Sequence, residues 1–89
     1  MDIRVLKYFL AIAQEENVTK AAELLHTTQP NISRQIAELE EELGKQLFVK
    51  NGRRFVLTEE GVFLRKRAKE IVELTERTEA DISAYDRLA

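Results

Sequence analysis

The sequence predicts a mostly α-helical chain in which three helices lead into a two-stranded β-hairpin and then into one long helix. Three observations predict it. Thr19 to Glu40, TKAAELLHTTQPNISRQIAELE, reads as two helices parted by a tight polar turn. Two β-prone runs, Leu47-Phe48-Val49 and Phe55-Val56-Leu57, flank Asn51-Gly52, the strongest short-range hairpin signal a sequence carries. From Leu64 onward, apolar and small residues recur at alternating steps of four and three to the end of the chain. A helix-turn-helix, a hairpin behind it and a long seam-bearing helix make a winged helix-turn-helix (three helices plus a two-stranded wing) followed by a dimerisation helix. The division falls at 1–58 for the head and 59–89 for the long helix.

In order along the chain, Asp2 caps a first helix from about Ile3 to Glu15, its carboxylate suited to the free N–H groups of the opening turn. Leu6, Phe9, Leu10 and Ala13 form the expected buried stripe, with Ile3 and Ile12 beside it. This helix reads as scaffold. Glu15-Glu16-Asn17 ends it, and Thr19 is expected to cap a short second helix that buries Ala21, Ala22 and Leu25. Thr27-Thr28 then breaks the pattern, because β-branched hydroxyl residues favour caps over helix interiors.

The next helix opens at Thr28 or Gln29 with Pro30 in its first turn, where a missing N–H costs nothing. Ile32, Ile36, Leu39 and Leu43 fall at steps of 4, 3 and 4 on one face. The opening turn presents a different face, Gln29, Asn31, Ser33, Arg34 and Gln35, whose side chains hydrogen-bond base edges and phosphates. A short helix, a turn and a second helix with a polar N-terminal end is the geometry that enters a major groove. Gly44 is placed as its C-terminal cap.

The hairpin carries Lys50, Arg53 and Arg54 at or beside its tip. A basic tip there suits a phosphate ridge or a narrow minor groove. By itself such a tip is more often an ordinary solvated turn; next to the polar helix start it reads as a wing. Thr58 caps the long helix, and Glu59 and Glu60 suit the positive end of its dipole. The seam is Leu64, Ala68, Ile71, Thr75, Thr78, Ile82, Tyr85 and Ala89, a heptad pattern. A helix of about 30 residues spans roughly 45 Å, more than the head can cover, so the seam is expected to find a partner. The two Thr near its middle, with basic residues early (Arg65 to Lys69) and acidic ones late (Glu73 to Asp86), suit antiparallel pairing centred near Thr75. The seam alone leaves parallel pairing open.

Composition bounds the rest. Eighty-nine residues make one small domain. Without Cys there are no disulfides or thiolate metal sites. No leader pattern and no apolar run of membrane length stands in the sequence, so the protein is read as cytoplasmic, with no membrane partner and no cofactor. The formal charge of -2 argues against nucleic acid. Its distribution softens that argument: residues 1–54 carry eight Lys/Arg and eight Asp/Glu, and residues 55–89 carry six and eight. Glu38, Glu40, Glu41 and Glu42 also lie at the far end of the proposed recognition helix. One His and no paired carboxylates leave little from which to build an enzyme. His26 reads as an exposed or hydrogen-bonded ring. The rival to a DNA reader is a winged-helix and coiled-coil adaptor that binds protein alone. The two are separated by whether Arg34 and Arg53 matter to DNA affinity and discrimination.

From Met1 to about Ala84 the chain resembles the N-terminal DNA-binding domain and linker helix of LysR-type transcriptional regulators. The matching stretches are LKYFLAIA, TKAAELLHTTQPNISRQIAELEEELGKQLF, the NGRR tip and LTEEG. The resemblance implies sequence-specific binding to double-stranded DNA, homodimerisation through the linker helix, and tetramers in the full-length protein. It also implies an α/β effector-binding domain of about two hundred further residues. That domain is absent from this chain, which is therefore read as a fragment, and any small-molecule effector would act through it. Carried across by the resemblance, Gln29, Pro30, Asn31, Ser33 and Arg34 are recognition-helix positions. Gln29 and Arg34 are the candidates for base-edge and phosphate contacts, and Pro30 for a thymine methyl. Thr28 matches a position that holds a backbone phosphate, Arg53 a wing residue that reaches the minor groove, and Arg54 a neighbouring backbone contact. Two residues depart from the family's pattern. Asn31 stands where a small residue such as Ala or Ser is usual, and Thr27 where Val is commoner.

Overall fold

The computed structural model describes residues 1–85. Its elements are α1 (Ile3–Glu15), α2 (Val18–Leu24), α3 (Gln29–Leu43), β1 (Phe48–Asn51), β2 (Arg54–Leu57) and α4 (Glu59–Ser83). The mostly α architecture with one hairpin is the one the sequence predicts.

Helix α1 lies at the centre, against α2, α3, β2 and α4. The Asp2 carboxylate accepts from the Val5 N–H at 2.9 Å, as expected of the cap. The buried stripe is Val5, Leu6, Phe9 and Ile12, while Leu10 and Ala13 are only half-buried. Enclosure by helices on more than one side rotates the stripe from the expected one. Glu16 then closes the helix in the left-handed region (φ 54), its N–H donating to the Ile12 carbonyl at 2.8 Å.

Helix α2 begins two residues earlier than expected. Its cap is Asn17, whose side-chain oxygen accepts from the Lys20 N–H at 2.9 Å, not Thr19. Asn is at least as good a cap as Thr, and starting there lets Val18 enter the core beside Ala21 and Ala22. Leu25 is half-buried. The helix ends in a Schellman motif, Thr27 N–H to Ala22 C=O at 3.0 Å and His26 N–H to Glu23 C=O at 3.2 Å. His26 occupies the left-handed position at φ 54.

Helix α3 opens at Gln29 behind Thr28, whose hydroxyl accepts from the Asn31 N–H at 3.2 Å. Ile32, Ile36 and Leu39 are buried, and Gly44 ends the helix at φ 67. Glu40 then organises the next turn: one carboxylate oxygen accepts from the Leu47 N–H at 2.7 Å and the Phe48 N–H at 3.4 Å.

Strands β1 and β2 pair antiparallel with Asn51 opposite Arg54, so the two-residue loop is Gly52-Arg53. This is one residue later than Asn51-Gly52. Only Gly52 takes positive φ, at 66, which suits a turn with glycine at its first central position. Phe48 fastens the hairpin to the head, its ring 5.2 Å from Phe9 and 5.9 Å from Phe55.

Thr58 caps α4, its hydroxyl accepting from the Gly61 N–H at 3.0 Å and donating to the Gln46 carbonyl at 2.7 Å. The 25-residue helix lays Gly61, Leu64, Ala68 and Val72 into the core against α1. This corrects the expectation that the dimer seam opens at Leu64. Leu64 and Ala68, taken as the opening positions of a dimer seam, are 9% and 0% exposed in the chain's own core, and Ile71 packs at the edge of that core. The early seam positions face the head because α4 packs on α1 only as far as Val72, and the later ones lie on the part of the helix that runs past it. Phe63, Leu74, Ile82 and Tyr85 are 61, 58, 68 and 65% exposed, while the hydroxyls of Thr75 and Thr78 bond back to the Ile71 and Leu74 carbonyls. Ala89 lies outside the described residues. Among the described residues no helix is long and apolar enough to cross a membrane, and no buried side chain is polar or charged.

Candidate nucleic-acid interface

The first turn of α3 stands clear of the core because its apolar stripe starts only at Ile32. Thr28, Gln29, Pro30, Ser33 and Arg34 are exposed, and Asn31 is half-buried. At 100° per residue, Pro30, Arg34 and Ala37 share the meridian opposite Ile32, Ile36 and Leu39. That meridian would meet the floor of a groove.

Side-chain hydrogen bonds fix several of these groups. The Thr19 hydroxyl crosses the inter-helix turn and donates to Gln29 Oε1 at 3.1 Å. Asn31 Nδ2 donates to Thr27 Oγ1 at 2.9 Å, and Arg34 donates through a terminal nitrogen to Asn31 Oδ1 at 2.8 Å.

The hairpin tip and α3 face one another across a cleft of roughly 620 Å³. Gln29 and Ser33 line it from α3, Lys20 and Glu23 from α2, and Lys50, Gly52 and Arg53 from the hairpin. Three cations against one acid on its walls make it an attractive place for a phosphate chain, whose negative charge dominates nucleic-acid affinity. Lys50 also sits 5.9 Å from the Phe55 ring centroid. Most acids of the molecule lie away from the cleft. Glu38, Glu41 and Glu42 occupy the distal half of α3, where the N-terminal ammonium pairs with Glu42 at 2.7 Å; others follow along α4.

The predicted residues thus fall into separate groups. Gln29, Ser33 and Arg53 line one cleft. Thr28 serves the helix start through its cap bond, while Asn31 and Arg34 join Thr27 in a network on the adjoining face of the helix. Arg54 is turned away from the cleft: its guanidinium is paired with Glu16, Nε donating to Glu16 Oε2 at 2.7 Å. Beside this pair the Phe55 N–H donates to the Glu16 carbonyl at 3.0 Å, so Glu16 ties the base of the wing to the end of α1. Sequence reasoning missed Lys20 and Thr19 as site residues and Glu16 as the wing's anchor. Lys20 was legible as a basic residue in the first turn of the leading helix; the other two depend on contacts across the fold.

Comparison with known proteins agrees with this geometry. Residues 3–62 match the model for "Bacterial regulatory helix-turn-helix protein, lysR family". The HTH-type transcriptional regulator BsdA of Bacillus subtilis is 53% identical over 73 residues, which cover 81% of this chain and 25% of BsdA. BenM of Acinetobacter baylyi is 40% identical over 89 residues, covering 100% of this chain and 28% of BenM. The chain therefore spans about a quarter of the length of these relatives. Among solved structures, the crystal structure of the CbnR_DBD-DNA complex superposes with a TM-score of 0.92 at 38% identity, covering 97% of this chain and 99% of that one. The BenM_DBD/catB site 1 DNA complex superposes at 0.93 with 37% identity, covering 98% and 94%. The chain belongs to the lysR family of bacterial regulatory helix-turn-helix proteins.

Proposed function

We propose that this chain is the DNA-binding part of a bacterial transcriptional regulator, reading double-stranded DNA sequence-specifically as a dimer. The first turn of α3 enters a major groove and the Gly52-Arg53 tip reaches the adjacent minor groove. The observation that carries the reading is the cleft in which Gln29 and Ser33 of α3 face Arg53 and Lys50 of the hairpin. Side chains of types that can bond base edges and phosphates line this one cleft, which supports the reading.

Thr28, Pro30 and Arg34 extend that surface along α3, with Asn31 beside them. Arg54 contributes charge while held by Glu16. The dimer contact is carried by the part of α4 beyond the head, where, among the described residues, Leu74, Ile82 and Tyr85 are largely exposed; Thr75 and Thr78 lie between them. In this reading residues 1–58, together with the first turns of α4, form the head, and the rest of the helix is the linker. A separate effector-binding domain, a tetrameric full-length assembly and a cytoplasmic location complete the proposal. These rest on the family membership and on the chain spanning a quarter of its relatives.

Selection from a random duplex library with the purified domain tests it, at low and at physiological salt. Enrichment of an inverted repeat with half-sites about one helical turn apart, or a multiple of it, is the expected result. Enrichment of no sequence, with retention that vanishes as salt rises, would leave only non-specific attraction and favour a protein-binding adaptor.

A further inference from the structure

The network at the start of α3 assigns roles to two side chains that the cleft does not use. An Arg can only donate, so the oxygen of the Asn31 amide must be the atom facing Arg34, and its NH₂ the atom facing Thr27. The 2.8 Å and 2.9 Å bonds therefore fix the amide orientation from both ends. Thr27 and Asn31 are both half-buried, and Thr27 sits just before the cap, held by its N–H bond to the Ala22 carbonyl. The chain Thr27–Asn31–Arg34 thus runs from fixed backbone to an exposed guanidinium. Arg34 lies on the meridian that points straight away from the core. After donating one hydrogen to Asn31, its guanidinium keeps four N–H groups and a free fork.

Resting on the DNA-binding reading above, we propose that Asn31 and Thr27 are positioning residues: they pre-set the Arg34 guanidinium as a fork for the O6/N7 edge of a guanine in the major groove. One N–H and one lone pair of the Asn31 amide are committed to Thr27 and Arg34, which holds the amide toward its neighbours on α3 and assigns it to positioning ahead of gripping an adenine through both atoms. Holding a long flexible side chain in one rotamer removes an ordering cost that binding would otherwise meet, so discrimination depends on residues that never touch DNA.

The test repeats the library selection with the wild-type domain and with Arg34→Ala, Asn31→Ala, Thr27→Val and Thr27→Ser. Binding of the duplex that the wild type enriches is then measured with each half-site guanine replaced in turn by 7-deazaguanine, which lacks the N7 acceptor. The wild type is expected to enrich guanine in one column of each half-site and to lose affinity when that guanine loses N7. Arg34→Ala should erase the column. Asn31→Ala and Thr27→Val should each shrink the affinity ratio between the guanine and 7-deazaguanine duplexes about fivefold, the order expected for a single lost orienting contact. Thr27→Ser, which keeps the hydroxyl, should restore it. A merely structural role would lower thermal stability and all affinities together. A guanine column untouched by Asn31→Ala and Thr27→Val would overturn the assignment alone. So would loss of an adenine column in Asn31→Ala. Absence of any enriched sequence for the wild type would overturn the DNA-binding reading and this assignment with it.

Discussion

Gly61→Ala sets two physical effects against each other, and the structure decides between them. In a helix interior alanine is favoured over glycine by about 1 kcal/mol, so propensity alone predicts a gain. At this position, however, a Cβ would stand 2.2 Å from the Leu47 carbonyl oxygen, 2.9 Å from Leu57 Cδ2 and 3.1 Å from the Leu47 carbonyl carbon. The nearest obstacle is backbone, and that backbone is held. The Leu47 carbonyl accepts from the Thr58 N–H at 3.0 Å, and the Leu47 N–H donates to Glu40 at 2.7 Å. Its side chain is 1% exposed. Making room requires α4 to move outward by about an ångström at its first turn, an overpacking strain of roughly 1–3 kcal/mol. A weakened capping bond at Thr58 adds about 1 kcal/mol. Against the propensity gain, which is smaller this near the helix end, the net loss is about 2 kcal/mol. For a domain of this size that lowers Tm by roughly 8–16 °C. Thermal unfolding followed by far-ultraviolet circular dichroism, with wild type and variant at one protein concentration, reads it directly. An unchanged or raised Tm would refute the close approach of α4 to the Leu47 backbone.

Other substitutions probe separate contacts. His26→Gly relieves a left-handed residue at the end of α2 that costs a β-carbon-bearing side chain about 1 kcal/mol or more. Allowing for the greater freedom of glycine in the unfolded chain, stability should rise by about 0.5 kcal/mol, seen as a higher urea midpoint at constant slope. Glu40→Ala strands the Leu47 and Phe48 N–H groups and should cost about 2 kcal/mol by the same measurement, with Glu40→Gln losing less because an acceptor remains. In fluorescence anisotropy, Arg53→Ala should abolish the preference for A·T-rich flanks. Arg54→Ala should change affinity less, since its guanidinium is engaged by Glu16.

Much of the fold was legible because local chemistry and global packing agree in it. Asp2, Thr28, Gly44 and Thr58 cap helices where the sequence places them, and of the expected stripe Ile32, Ile36 and Leu39 face inward while Leu43, in the last turn of α3, is exposed. The failures occur where two local choices were nearly equal or where a distant element cast the deciding contact. Asn17 and Thr19 are both competent caps, and burial of Val18 favoured the first. Asn51-Gly52 and Gly52-Arg53 both offer a glycine for the turn, and pairing of Phe48 with Leu57 set the register. The α4 seam has heptad spacing, which says nothing about which positions the head covers; α1 covers Leu64 and Ala68. At the site, residue types and the helix start were readable. The commitment of Arg54 to Glu16, 38 positions away, was not, because no local pattern encodes it. Thr27 and Asn31, each seen as a separate departure from the family's pattern, are hydrogen-bonded partners.

The most direct measurement of the central claim is amide chemical-shift mapping of the ¹⁵N-labelled domain titrated with its selected duplex. The account predicts the largest changes at Lys20, Thr28 to Arg34 and Lys50 to Arg53, with the exposed residues of α4 beyond Val72 nearly unmoved. Changes concentrated around Leu43, Phe63 and Leu74, with the α3 start and the hairpin tip silent, would contradict it.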